Sequence, residues 1–132
     1  MEKGEFEYKG VKRYSLVNPR DCSFGVITNN KLMWSEHTAQ IINVSILGIG
    51  IESDSPITPG LVWFKKRVGG YKCGMLRWIE RTDAIHRGGI EFITLSRHVE
   101  EYLQKQIRHH QPNKPIQDPG HIIAELIEAN TK

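Results

Sequence analysis

Apolar and polar residues alternate in a series of short stretches between residues 22 and 94, and this pattern predicts β-strands. Gly69-Gly70 separates two of the stretches and indicates a two-residue hairpin, because both glycines tolerate positive φ. The predicted strands cover residues 22–28, 38–45, 47–52, 61–68, 71–82 and 85–94. Their short, even spacing without intervening helices favours an antiparallel barrel or sandwich. Closure into a six-stranded antiparallel β-barrel would leave no exposed edge.

The period of the pattern changes after residue 94. An apolar residue then recurs at every fourth position, in the series Leu95, Val99, Leu103 and Ile107. This series predicts a C-terminal α-helix that packs on the barrel, with Ser96 as its N-cap. Residues 111–120 hold three prolines and predict a linker, and Asp118 can cap a short tail helix after it. A helix this short must dock on the barrel, on another copy or on a partner.

The chain divides into three segments on this pattern. Residues 1–20 are polar and basic, and we expect them to form an N-terminal arm before the first strand. Residues 21–110 hold the barrel and its packing helix, and residues 111–132 hold the proline-rich linker and the tail helix. Because the linker separates the tail from the rest, we expect a chain that lacks residues 112–132 to fold.

The composition is typical of a single folded domain. The 132 residues are 39% hydrophobic and 25% charged, as in globular proteins. The sequence has neither an apolar run long enough to span a membrane nor a signal-peptide core, so we expect a cytoplasmic protein without membrane insertion.

Cys22 and Cys73 lack metal-like spacing and are expected to be reduced and buried. Trp78 and Phe92 stand in strands beside glycines that leave space, so we expect both inside the barrel or under the helix.

The sequence lacks the motifs of common enzyme classes, namely the His-Glu-x-x-His zinc motif, the phosphate loop and Gly-x-Ser-x-Gly. Its six histidines are scattered, so we expect neither catalysis nor a metal site.

Lys65-Lys66-Arg67 follows two aromatic residues and could line a nucleic-acid surface. A hairpin that points its aromatic residues inward explains the same residues. We prefer the hairpin, because a net charge of +3 is low for a nucleic-acid domain.

The candidate binding residues lie in the stretch 42–51. A strand over residues 42–46 would place Asn43 and Ser45 on one face and bury the three β-branched residues between and beside them. Gly48 presents backbone without a side chain, which lets a ligand approach closely. The amide of Asn43 and the hydroxyl of Ser45 can each donate and accept hydrogen bonds. A polar turn that satisfies its own backbone explains the same residues.

The spacing Asn43-x-Ser45-x-x-Gly48 resembles the second signature of the PilZ domain family of bacterial cyclic di-GMP receptors. The similarity extends over about residues 13 to 108, with further segments in the family's order: Pro59-Gly60 and the strand after it, Gly74 to Trp78, and Gly88 to Phe92. The resemblance implies a PilZ-like barrel with a C-terminal helix, cyclic di-GMP as ligand and no catalysis. It also implies a signal passed to a protein partner of motility, pilus or polysaccharide machinery.

The PilZ family also carries two arginines, four residues apart, before its first strand. Such arginines can hold phosphates and guanine edges. Arg20 stands at the second position and Leu16 at the first, while Arg13 offers a cation in a shifted register. The resemblance therefore implies a ligand site with Arg20 as the main cation, made of Arg13, Arg20, Asn43, Ser45 and Gly48. The alternative is a PilZ domain with an incomplete site that binds no nucleotide and acts as a protein-interaction adaptor.

Overall fold

The structure is a computed structural model that describes residues 2–8, 11–28, 31–110, 113–118 and 120–130, with the backbone alone for residues 2–8, 11 and 130. The strands and helices in these ranges are β1 Glu2–Tyr8, β2 Val11–Thr28, β3 Trp34–Val44, β4 Gly48–Ser53, β5 Gly60–Val68, β6 Tyr71–Thr82, β7 Ile85–Ile93, α1 Arg97–Arg108 and α2 Ile122–Asn130. Neither of these two helices has the length and apolar character needed to cross a membrane.

Strands β2 to β7 close into a six-stranded antiparallel barrel, which confirms the fold class predicted from the alternation. The strands pair in the order β2-β3-β4-β7-β6-β5, and β5 returns to pair with β2. Gly69 and Gly70 form the β5–β6 turn with φ of 57° and 87°, as the glycine pair predicted. The helix α1 follows the barrel, and the Ser96 hydroxyl caps it by accepting a hydrogen bond from the Val99 N–H at 3.3 Å.

Strand β2 is longer than the sequence pattern indicated. It begins at Val11 rather than near residue 22, and its first part pairs with β1 on the outside of the barrel. Much of the segment expected to be an arm, residues 1–20, is therefore strand. Residues 16–19 bulge out of the ladder between β2 and β3. The bulge accommodates Pro19, which has no N–H to give to a ladder, and it interrupts the alternation on which the prediction relied.

One cluster of buried side chains fills the barrel interior. It comprises Cys22, Phe24, Val26, Ala39, Ile41, Ile49, Ile51, Ile57, Val62, Phe64, Leu76 and Ile90. Most of its members are two residues apart along their strands, as a pleated sheet with one buried face requires. The Cys22 thiol is buried here as predicted, and burial raises its pKa to about 11.

A second buried cluster lies outside the barrel, between its wall and the two helices. It comprises Ile27, Leu61, Trp63, Cys73 and Met75 from the strands, with Leu103, Ile116, Ile123 and Ile127 from the C-terminal part. The tail helix α2 therefore docks on the barrel, which settles where its apolar side lies. Asp118 caps it, because its two carboxylate oxygens accept hydrogen bonds from the N–H groups of Ile122 and Ala124 at 2.7 and 3.0 Å. The folding expected of a chain that lacks residues 112–132 stays a prediction, and such a chain would lose Ile116, Ile123 and Ile127 from this cluster.

Two aromatic residues expected in the interior have different environments. Trp78 is 48% exposed on the outer face, so the prediction for it was wrong. Phe92 is half-buried against the interior cluster, stacked on Tyr71 at 4.4 Å between ring centroids and edge-on to Phe64. Ile46, expected to be buried in a strand, is 79% exposed because β3 ends two residues before it and Ile46 lies in the turn.

Candidate functional site

The candidate site is a cavity of about 430 Å³ on the outer face of the barrel. Gly50 of β4 and Gly89 of β7 are register partners at its floor. Their chain neighbours Ile49, Ile51 and Ile90 are buried in the barrel interior, so the two glycines face outward. Because neither glycine has a side chain, groups from the walls can lie over the floor, and the Trp78 ring comes within 3.4 Å of where a Cβ on Gly89 would stand.

Bulges in two strands raise the walls of this cavity. On β6, three residue steps from Leu76 to Ile79 oppose two steps on β7, so Arg77 and Trp78 both reach the cavity. On β3, a similar irregularity between Ile41 and Asn43 brings both Ile42 and Asn43 to the opposite wall. A bulge leaves one residue unpaired and re-aims side chains. Consecutive residues can then line one cavity, which regular alternation would forbid.

Arg13 and Asn43, two of the residues predicted from the sequence, meet at this cavity. The Arg13 Nη1 donates a hydrogen bond to the Asn43 Oδ1 at 2.7 Å, and both residues line the cavity. The Asn43 amide lies directly over Gly50, where an added Cβ would come within 2.5 Å of its Nδ2. Gly50 therefore makes room for the amide, and the amide in turn holds the guanidinium at the rim.

Ser45 and Gly48, also predicted to bind ligand, have structural roles in the β3–β4 turn. The Ser45 hydroxyl accepts hydrogen bonds from the N–H groups of Leu47 and Gly48 at 3.1 and 3.2 Å. This arrangement is the self-satisfied polar turn that the sequence left open as an explanation. A Cβ on Gly48 would come within 2.1 Å of the Ile90 carbonyl oxygen, so this glycine lets β4 approach β7 closely.

Arg20, expected to be the main cation, lies outside the cavity lining. It follows the bulge of residues 16–19, is exposed, and pairs through its backbone with Ile41 of β3. Leu16, at the position of the family's other arginine, is half-buried and packs against the interior cluster. The structure thus brings Arg13 rather than Arg20 to Asn43.

The cavity also holds charged side chains that the sequence reasoning missed. Arg77 and Arg87 line it together with Glu80 and Glu91, so with Arg13 it carries three arginines against two glutamates. The Arg87 Nε donates to a carboxylate oxygen of Glu52 at 2.8 Å, and the Arg77 Nη1 lies 3.7 Å from Glu91. One sequence signal could have found the wall of β6. Its interior residues Leu76 and Ile79 are three apart rather than two, which is the mark of a bulge.

Groups of three or more histidine, cysteine or acidic side chains that could hold a metal ion do not occur in the described part of the chain. A comparison of the sequence with protein-family models found no match, and a comparison with curated proteins also found none. The resemblance to the PilZ family therefore rests on the short motifs and their order in this sequence.

Proposed function

We propose that this protein is a non-catalytic receptor for cyclic di-GMP of the PilZ type. The observation that supports this function most directly is the hydrogen bond from Arg13 to Asn43 at the rim of the outer cavity. It joins an arginine in the first part of β2 to the first residue of the Asn-x-Ser-x-x-Gly motif. The six-stranded antiparallel barrel that carries both residues is the fold that the resemblance implies.

The chemistry of the cavity suits a cyclic dinucleotide. Such a ligand carries two phosphates and two guanines, and arginines can bind either group through paired N–H donors. The ring of Trp78 offers a face on which a base can stack. Gly50 makes room for the Asn43 amide and Gly89 lets the Trp78 ring lie against the floor, so both groups line the cavity. Mixed cationic, aromatic and glycine lining fits a nucleotide better than it fits a neutral metabolite.

The receptor would transmit its signal by contact with a protein, since a non-catalytic receptor makes no chemical product. The target would belong to machinery such as that for motility, pili or polysaccharide. The adaptor alternative, in which no nucleotide binds, is favoured by the structural roles of Ser45 and Gly48. The apolar side chains of Ile46 and Leu47 favour it too, because they are 79% and 40% exposed beside the site and could contact a protein partner.

Isothermal titration of the full chain with cyclic di-GMP tests the function, with cyclic di-AMP as a ligand of equal charge and different base. We expect binding of the guanine ligand alone. Arg13→Ala should weaken it by roughly ten- to a hundredfold, the equivalent of a charged hydrogen bond. Arg20→Ala is the matched control and should bind like the wild type, because Arg20 lies outside the cavity lining. A wild-type chain that binds neither ligand would put the adaptor function first.

A further inference from the structure

Arg77 is the cavity cation whose hydrogen-bonding capacity is least used. Its side chain is 31% exposed, and its Nη1 makes a long contact of 3.7 Å with a Glu91 carboxylate oxygen. Its Nε is buried and donates to no acceptor among the described residues. By contrast, the Nε of Arg87 already donates to Glu52 at 2.8 Å. Arg77 thus holds a charged donor group at the cavity that lacks a full set of acceptors.

A buried donor without an acceptor is unfavourable, and for a charged group the penalty is larger than for a neutral one. Such a group persists where the surrounding structure fixes it, here by the β6 bulge that turns Arg77 toward the cavity. The arginine stem can rotate at several bonds, so a modest movement would turn the Nε edge to an incoming anion. A phosphate oxygen pair would then accept from that edge in the bidentate manner typical of arginine.

We propose that Arg77 binds one phosphate of the cyclic dinucleotide and supplies the second cation that Leu16 cannot provide. This inference rests on the proposed function. The Arg13 guanidinium is held at Asn43 on the wall formed by β3, and Arg77 stands on the wall formed by β6, with β4 and β7 between these two walls. Three strand spacings separate the walls, roughly 14 Å in a flat sheet. Cations on opposite walls suit a ligand whose two phosphates lie apart.

Glu91 is the acidic neighbour of Arg77 at the cavity. Its carboxylate lies beside the guanidinium and also lines the cavity, so it competes with a phosphate for the same cation. It also repels the phosphate directly, because like charges at close range are unfavourable. Binding would therefore exchange a long Arg77–Glu91 contact for a closer contact between Arg77 and the ligand.

Titration calorimetry of cyclic di-GMP into full-length variants tests the role of Arg77. Arg77→Met removes the guanidinium and keeps a long side chain, and it should weaken binding roughly ten- to a hundredfold. Arg81→Met is the matched control on the same strand, because Arg81 is exposed, lies outside the cavity lining and donates to the Asp83 carbonyl oxygen. It should change the affinity less than twofold. Glu91→Gln should tighten binding several-fold, which tests the inference even where Arg77→Met does not fold.

The outcomes separate this inference from the function on which it rests. Wild-type binding that Arg77→Met leaves unchanged would overturn the role of Arg77 and leave the receptor function in place. A Glu91→Gln variant that binds no more tightly than the wild type would contradict the competition. A wild-type chain that binds no cyclic di-GMP would overturn the receptor function and this inference together.

Discussion

Two glycines of the same strand should respond in opposite ways to one added methyl group. Gly48 and Gly50 both lie on β4 and are buried, and neither has a positive φ. A Cβ on Gly48 would come within 2.1 Å of the Ile90 carbonyl oxygen and 3.0 Å of the Glu91 Cα, both on the backbone of β7. A Cβ on Gly50 would instead meet the Asn43 amide, 2.5 Å from its Nδ2, at the end of a rotatable side chain.

The two contacts lead to different magnitudes. In Gly48→Ala the strands β4 and β7 must separate by about an ångström, and overpacking of this kind lowers the unfolding free energy by about 1–3 kcal/mol or more. In Gly50→Ala the Asn43 amide can swing away, and the smaller entropy of the unfolded chain offsets about 0.4–1 kcal/mol of the strain. That movement breaks the Arg13–Asn43 hydrogen bond of 2.7 Å. The proposed binding of cyclic di-GMP should therefore weaken roughly ten- to a hundredfold.

Urea unfolding and titration calorimetry on the two variants measure these effects. We expect Gly48→Ala to unfold at lower urea, and Gly50→Ala to keep wild-type stability within about 1 kcal/mol while it loses affinity. Each variant is the control for the other, because both add the same methyl group to the same strand. Gly48→Ala with wild-type stability would refute the close approach of β4 and β7. Gly50→Ala with wild-type affinity would refute the role of the amide over Gly50.

Further expectations concern the core. Ile123→Ala should lower the unfolding free energy by about 2–5 kcal/mol, because Ile123 has no exposed surface, while exposed Glu125→Ala should change it by less than ~0.5 kcal/mol; equal effects would contradict the docked tail. Leu16→Arg should lower the unfolding free energy by about 1–2 kcal/mol in the same assay, because Leu16 packs against the interior cluster. An unchanged unfolding free energy would contradict this packing of Leu16. Burial raises the pKa of the Cys22 and Cys73 thiols to about 11 and about 12 from 9.0. The contribution of these two thiols to the free energy of unfolding should therefore be fully present below pH 9 and fall above it, since the unfolded chain releases these protons first. A thermal-unfolding midpoint that stays constant above pH 9 would contradict this.

The sequence by itself determined the parts of this protein that follow from local physical chemistry. Side-chain alternation located six strands because one face of each had to be buried, and closure followed from the need to pair every edge. Gly69-Gly70 specified a hairpin because its turn requires positive φ. Ser96 specified the start of α1 because a hydroxyl there can reach an unpaired N–H group. The strands, the hairpin and the helix cap each depend on residues that are close together in the chain.

The tertiary structure decided the features that depend on neighbouring strands. A bulge shifts side chains between the two faces. The sequence alone therefore predicted Trp78 inside the barrel or under the helix, whereas the pairing of β6 with β7 puts it on the exposed outer face. A bulge also explains why the prediction for Arg20 was not met. The extra residues of the β2 bulge separate Arg20 from Asn43, while Arg13 lies in register to reach Asn43. The apolar side of α2 was evident from the sequence. Its docking place was not, because the outward-facing side chains of the barrel that cover it come from distant strands.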